Sequence, residues 1–329
     1  MLFRGIITAM LLIFLVKTEL AQATEANVPE KLLNNAKEEL LHDPKSAFEL
    51  ARKAYDIAQE GNNIIVQAQS SLLLGKLFFA QAAYNQALSH FLKALQLLED
   101  EPSTQLMAET HNALGNLYYY LKREDKVLSS HNMALNLYRH SQDSLGMAET
   151  FGYIGHYHEK QKRYKAALQF QHKALSLLRN SRSTAMESSI LSHLGSIHED
   201  LQDYPQAKHY FERSLALNDS ARQTRERISI LNNLGDVAYK SNDFQTAEYF
   251  SKRALSLARR VDDLYQARSA LRDLSQLYAS LGKHEKAFQY LDSSVLYYKQ
   301  IYSEEGLKQV ARLETFFEAD KKEKEIRLL

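Results

Sequence analysis

Glycines recur every forty residues through the middle of this chain, at Gly75, Gly115, Gly155, Gly195 and Gly235, and Ser275 takes the next step. A glycine inside a helix costs about 1 kcal/mol relative to alanine. Repeating that cost at a fixed interval makes sense only where a neighbouring element passes too close for a Cβ. Other positions keep the same step. An aliphatic residue stands just before each lattice residue: Leu74, Leu114, Ile154, Leu194, Leu234 and Leu274. Twelve residues after the lattice come Ala87, Val127, Ala167, Ala207, Ala247 and Ala287, and nineteen after come Ala94, Ala134, Ala174, Ser214, Ala254 and Ser294. A weaker copy lies upstream, with Ala47 and Ala54 in phase. Self-similarity at such a period marks a repeat array, in which each unit buries its apolar face only against its neighbours.

Composition agrees with helix. The 329 residues include four prolines and eleven glycines, the two strongest helix breakers, and are otherwise rich in Ala, Leu, Lys, Glu and Gln. Apolar residues follow helical spacing, as in Ala87, Leu88, Phe91, Ala94, Leu95 and Leu98. Turns are marked by Asp203 ahead of Tyr204-Pro205, by Asn242-Asp243 and by Gly282. The expected fold is all-α, a right-handed α-solenoid of helix-turn-helix units with helices of about fifteen residues and a C-terminal extension helix. The expected units are 28–67, 68–107, 108–147, 148–187, 188–227, 228–267 and 268–303, within a solenoid of residues 24–303.

The motif Leu114-Gly115-x-x-Tyr118, followed by Val127 and Ala134-Leu135, resembles the tetratricopeptide repeat (TPR) family, and the resemblance covers residues 28–303. The family's usual period is 34 residues; the forty-residue step here implies longer helices or linkers, as in kinesin-light-chain-like repeats. The family's signature tryptophan is absent, since the chain has none. The resemblance implies a binding surface on the concave face, lined by the first helix of each unit. Counting the glycine as position eight, positions two, five, nine, twelve and thirteen face the groove. That assigns Glu109, Asn112, Asn116, Tyr119 and Tyr120 in one unit, and Glu149, His156, Glu159 and Lys160 in the next. Ser192, Ser196 and Glu199 follow, then Asn232, Asp236, Tyr239 and Lys240, then Arg272 and Gln276. The lattice residues Gly75, Gly115, Gly155, Gly195 and Gly235, with Ala87, Ala167, Ala207, Ala247 and Ala287, are structural. Asparagine both donates to and accepts from a peptide backbone, so the expected partner is a protein or an extended peptide segment.

The two ends address compartment. Arg4 precedes the apolar run Gly5–Val16, and Ala21-Gln22-Ala23 follows with the small-x-small pattern of a signal-peptidase site. Residues 1–23 are therefore expected to be a signal peptide, and the mature chain to be periplasmic. Residues 304–329 are expected to be helical, with Val310, Leu313 and Phe317 as a short apolar stripe. Lys322-Glu323-Lys324-Glu325-Ile326-Arg327-Leu328-Leu329 is similar to the junction of Bacteroidetes-type membrane-tethered sensors. In those proteins periplasmic repeats lead to a membrane span and a histidine kinase, helix-turn-helix regulator or diguanylate cyclase. The resemblance implies a sensory ectodomain, a membrane tether in sequence after Leu329 and a homodimer through the C-terminal helix. A free periplasmic scaffold or assembly adaptor is the alternative.

Chemistry is sparse. The chain has no cysteine, which removes disulfides and thiolate sites. Its twelve histidines include no His-Glu-x-x-His, and His156-Tyr157-His158-Glu159 spreads its ligating side chains over different helix faces. No phosphate-binding glycine loop or nucleophile elbow occurs. With 41 basic and 40 acidic residues there is no excess of basic charge for nucleic acid. The expectation is a non-catalytic chain with no cofactor and no metal.

Overall fold

The computed structural model describes residues 27–40, 43–179, 183–218 and 224–303. The expected signal peptide and C-terminal helix lie outside these residues. The described chain consists of helices and short turns, and it divides into two compact units at the turn after Lys160.

The first unit holds α1 (Val28–Glu39), α2 (Pro44–Glu60), α3 (Ile64–Ala80), α4 (Tyr84–Asp100), α5 (Thr104–Tyr120), α6 (Glu124–His140) and α7 (Ser144–Lys160). The second holds α8 (Tyr164–Leu178), α9 (Thr184–Asp200), α10 (Tyr204–Leu217), α11 (Thr224–Lys240), α12 (Phe244–Arg260), α13 (Leu264–Ser280) and a last described helix, α14, over residues 284–303. Within each unit α3 packs on α4, α5 on α6, α9 on α10 and α11 on α12. The first helices of successive pairs also touch: α3 meets α5, α5 meets α7, α9 meets α11, and α11 meets α13. Among the described residues the second helices make no comparable contact with one another. Within each unit, first helices therefore form one layer and second helices the other.

Most helices are seventeen residues long, two longer than expected, and are joined by three-residue turns. Two such helices with their turns account for the forty-residue step, so the extra length over the family's usual period is in the helices. The pairs start at Ile64, Thr104, Ser144, Thr184, Thr224 and Leu264, four residues ahead of the unit boundaries read from the sequence.

Most of the turns share one backbone device, the turn at Glu101-Pro102-Ser103 being an exception. Their middle residue is left-handed at Asn62, Ala82, Lys122, Gln142, Lys162, Gln202, Asn242 and Asp262, with φ between 52° and 61°, and at Gly282 with φ 69°. The next residue's N–H reaches back five residues, as from Ala83 to the Phe78 carbonyl (2.9 Å), Arg123 to Tyr118 (2.9 Å) and Asp263 to Ala258 (2.9 Å). This is the Schellman closure, which satisfies carbonyls left over at the helix end. Where the third turn residue is Asp or Asn, its side chain also caps the next helix: Asp143 accepts from the Gly146 N–H at 2.9 Å and Asn63 from the Val66 N–H at 3.1 Å.

The lattice glycines are the contact points within pairs. A Cβ on Gly75 would lie 2.4 Å from the ring of Phe91, on Gly115 2.6 Å from the ring of His131, and on Gly195 2.7 Å from the ring of Phe211. Each covering residue comes sixteen positions after its glycine, and all three rings are buried. At Gly235 the cover is the smaller Ser251, whose hydroxyl would lie 2.7 Å from a Cβ. Gly155 is buried. Ala87, Ala167, Ala207, Ala247 and Ala287 are buried, as are Ala94, Ala134, Ala174 and Ala254.

Two stability predictions follow from these contacts. Gly195→Ala should lower stability by about 1–3 kcal/mol, because the Phe211 ring has no room to move in a packed interior. Gly235→Ala, whose one close contact is the Ser251 hydroxyl, should be near neutral, since helix propensity gains about 1 kcal/mol. In a Phe211→Ala background the penalty at Gly195 should vanish, which a double-mutant cycle by denaturant unfolding would measure. Separately, Ala82→Gly removes a left-handed alanine from an exposed turn and should raise stability by up to about 1 kcal/mol, readable as a shift of the unfolding midpoint.

Candidate functional site

The residues expected to line a groove lie on the layer of first helices, and the structure treats their positions differently. Position five turns inward where it is asparagine. Asn112 is buried on α5; its amide N–H donates to the Thr150 hydroxyl at 2.9 Å, and its carbonyl accepts from His131 Nδ1 at 3.0 Å. Thr150 passes the chain on to the Gly146 carbonyl at 2.7 Å. Asn232, at the same place on α11, is also buried and donates to the side-chain carbonyl of Gln266 at 2.7 Å. As groove ligands Asn112 and Asn232 are therefore corrected: they link successive first helices, because their short amides reach only the next helix. Glu159 is corrected because it is buried, its carboxylate lying beside Lys160 (3.1 Å) and His156 (3.6 Å) of its own helix.

His131 is a further consequence of this packing. Burial pushes its pKa down to about 4, so the ring over Gly115 is neutral. It stacks on Tyr153 at 5.6 Å, and the Tyr153 hydroxyl donates to Glu149 at 2.8 Å. Burial, then the Glu149 charge, push the Tyr153 phenol upward; Asn116 pulls against them through a hydrogen bond.

The remaining first-unit positions are half-buried or exposed. Glu109 lies 3.9 Å from Lys76. Tyr119 and Tyr120 join an aromatic run: Tyr120 packs edge-on against Phe79 (5.2 Å) and near Tyr84 (5.7 Å), and Tyr119 packs edge-on against Tyr157 (6.3 Å). Lys160 is exposed.

The second unit gathers more of the expected residues in one place. Lys240 on α11 donates to Glu199 on α9 at 2.6 Å and lies 2.9 Å from Asp236, one turn before it. Tyr239 and Ser280 share a hydrogen bond of 2.8 Å from α11 to α13. A small pocket beside Gly235 is lined by Asp236, Tyr239, Ser251, Asp273 and Gln276, among others. Arg272 lies 3.4 Å from Asp273. Arg272 and Gln276 are exposed, and Ser192 and Ser196 are half-buried on α9.

Two carboxylates, Glu199 and Asp236, thus share Lys240, and a third, Asp273, lies beside Arg272. Burial, then a hydrogen bond to Asp236, push Glu199 up to about 7, against the pull of Lys240. Burial raises Asp273 to about 6, opposed by Arg272 and aided by Asp236. Burial works against the Lys240 ammonium, but hydrogen bonds to Glu199 and Asp236 more than offset it and hold it charged above its ordinary range. The two partners of the Lys240–Glu199 pair both shift upward because Glu199 is the more deeply placed and faces a second acid. Asp273 was missed by the position rule: it occupies a place filled by Ala113, Tyr153, His193 and Asn233 in the other units. An acid at a position otherwise held by apolar or neutral residues was the available signal.

With this geometry in view, three stretches, residues 65–140, 146–220 and 226–300, match the tetratricopeptide repeat model. They span more than half of the chain. This chain belongs to the tetratricopeptide repeat family. Each matched stretch covers two of the helix pairs, and the all-α solenoid fold follows.

Solved structures agree on the fold. A Rap protein complexed with competence and sporulation factor is 15% identical, covering 85% of this chain and 88% of that one, with a TM-score of 0.62. The apo form of the quorum sensor NprR from B. thuringiensis is 16% identical, with 85% and 92% covered and a TM-score of 0.58. Pseudomonas aeruginosa pilF is 22% identical, with 72% and 97% covered and a TM-score of 0.51. Comparison with curated proteins finds no matching sequence. No helix among the described residues is long and apolar enough to cross a membrane.

The two units should respond oppositely to pH. His131, and His90 at about 4, have folded pKa values below 6.5, so the first unit should lose stability as pH falls from about 6.5 towards 4. Glu199 and Asp273 are raised above their ordinary values of 4.5 and 3.8, so the stability they lend is present at low pH and lost as pH rises towards 6 and 7. Hydrogen exchange of α5 and α9 amides across pH 4–8 should give slopes of opposite sign. Glu199→Gln should flatten the second-unit slope and leave the first unchanged.

Proposed function

We propose that this tetratricopeptide chain is a non-catalytic scaffold that binds an extended protein or peptide segment along the first-helix layer of α9, α11 and α13. The observation that carries the reading is the row of Glu199, Asp236, Lys240, Arg272 and Gln276 across three adjacent helices. These groups offer donors and acceptors at successive steps of the repeat, which suits an extended backbone with a polar side chain at the Asp236–Lys240 pair. The packed sides of the same helices carry Leu, Ile and Ala instead.

The scaffold is further read as the sensory part of an exported bacterial signalling protein, with the mature chain in the periplasm. Support comes from the leader-like segment ending at Ala23 and from the Lys322–Leu329 resemblance to sensor junctions. A Rap protein bound to competence and sporulation factor and the quorum sensor NprR share the fold, and at their low identity they support the architecture alone.

The test is a peptide array against the full chain, followed by titration of the strongest ligand. Asp236→Ala and Lys240→Ala should each weaken binding about tenfold, about 1.4 kcal/mol, with the melting temperature nearly unchanged for Asp236→Ala and lowered for Lys240→Ala, which leaves Glu199 without its cation. Binding that is indifferent to both substitutions would reject this face. Fractionation that retains the chain in the cytoplasm would reject the exported sensor and leave the scaffold standing.

A further inference from the structure

The space beside Gly235 differs in kind from its counterparts in other repeats. Phe91, His131 and Phe211 each set a ring close against the facing glycine. Ser251 stands at the same place on α12, and beside it lies a cavity of about 10 Å³, the room one water-sized group needs. Ser251 and Leu277 line its inner side and are buried, while Gln276 lines its rim and is exposed. The cavity thus reaches from the buried side of α12 to the open side of α11 and α13.

Two acids converge on it. Asp236 of α11 and Asp273 of α13 both belong to the lining, which contains no lysine or arginine. Lys240 is drawn aside to Glu199 at 2.6 Å and Asp236 at 2.9 Å, and the largely exposed Arg272 lies 3.4 Å from Asp273. With Glu199, Asp236 and Asp273 ionised, the acids outnumber these two cations. Acids alone would read as a solvated helix face. Ser251 adds an independent sign. It is 3% exposed, it lines the cavity, and its hydroxyl makes no hydrogen bond among the described residues. A helical serine elsewhere turns back on its own backbone, as Ser293 does to the Gln289 carbonyl at 2.9 Å. A buried hydroxyl left unpaired is costly, and this one is aimed at the space the two acids share.

We propose that this cavity takes the terminal ammonium of a lysine side chain from a segment bound along α9, α11 and α13. An ammonium is the size of a water molecule and carries three donors and no acceptor. The cavity meets it with two carboxylates and a hydroxyl oxygen. A guanidinium is a planar fork of several atoms and exceeds the space. Calcium and magnesium take six or more oxygen ligands, more than the lining gathers. Polar groups continue on both sides, Glu199 with Lys240 on one and Arg272 on the other. A segment on this face therefore passes over the cavity, and a side chain rather than a chain terminus enters it. The lysine's origin in a bound segment rests on the groove reading; the cavity's affinity for an ammonium does not.

The test titrates n-butylammonium into the isotopically labelled full chain and follows backbone amide shifts. Asp236, Ser251 and Asp273 should shift saturably, with n-propylguanidinium and n-butanol about fivefold weaker or worse. Asp273→Asn should weaken butylammonium about fivefold, the scale of one partly exposed charge pair. Ser251→Phe restores the ring found in other repeats; it should abolish the shifts while the melting temperature holds. Should that variant fail to fold, Asp273→Asn decides alone, and unchanged affinity there would overturn the proposal. Equal response to butanol or to the guanidinium would overturn it as well. So would calcium chloride alone shifting the same amides, or alaninamide, a mimic of a chain terminus, binding more tightly than butylammonium. Array peptides that lose affinity on Asp236→Ala but not on Ser251→Phe would leave the groove standing and overturn the ammonium pocket.

Discussion

The structure depends on a buried ring set close against a bare helix backbone. Phe91 over Gly75, His131 over Gly115 and Phe211 over Gly195 bring the two helices of a pair together at distances a Cβ would not permit. Each buried aromatic contributes on the order of 1.5–3 kcal/mol by leaving water, more than the roughly 1 kcal/mol a mid-helix glycine loses. The same step is then repeated, so the fold is a nearly periodic sum of local contacts rather than one central core. Where the ring is replaced by Ser251, Gly235 retains the close approach with less burial, and the pocket beside Asp236 opens at that spot.

A second constraint sets the period. Three-residue turns with a left-handed middle residue close most of the described helices, at positions that fall on a twenty-residue lattice from Asn62 to Gly282. Only Gly282 among these residues is free of the left-handed penalty that side chains carry. The reversal is enforced instead by carbonyls that would otherwise go unpaired and by Asp or Asn caps on the following helix. Helix length and turn length together give forty residues, and this keeps equivalent positions in phase along the layer of first helices.

That phase is why much of the candidate surface was readable in advance. Glu199, Asp236, Tyr239, Lys240, Arg272 and Gln276 do lie on the first-helix layer of the second unit, because one period fixes one face. Asn112 and Asn232, at position five, broke the rule. An asparagine there is short enough to be drawn into the seam between first helices, where it bonds Thr150 or Gln266. A chemically polar residue was therefore structural, while Asp273, outside the pattern, entered the pocket. Charge sharing among Glu199, Asp236 and Lys240 likewise needs the lateral distance between α9 and α11, which no single helix encodes.

Sequence alone determined the repeat, its period, the helical class, the buried alanines and the glycines that mark close approach, because each is a local demand repeated along the chain. It could not say what covers those glycines. The residue sixteen positions later varies among Phe91, His131, Phe211 and Ser251, and only its location over the backbone makes the equivalence visible. Tertiary structure also decided which polar side chains are spent on holding helices together and which are left to face a partner. That choice rests on distances across neighbouring helices, set by packing rather than by the order of residues.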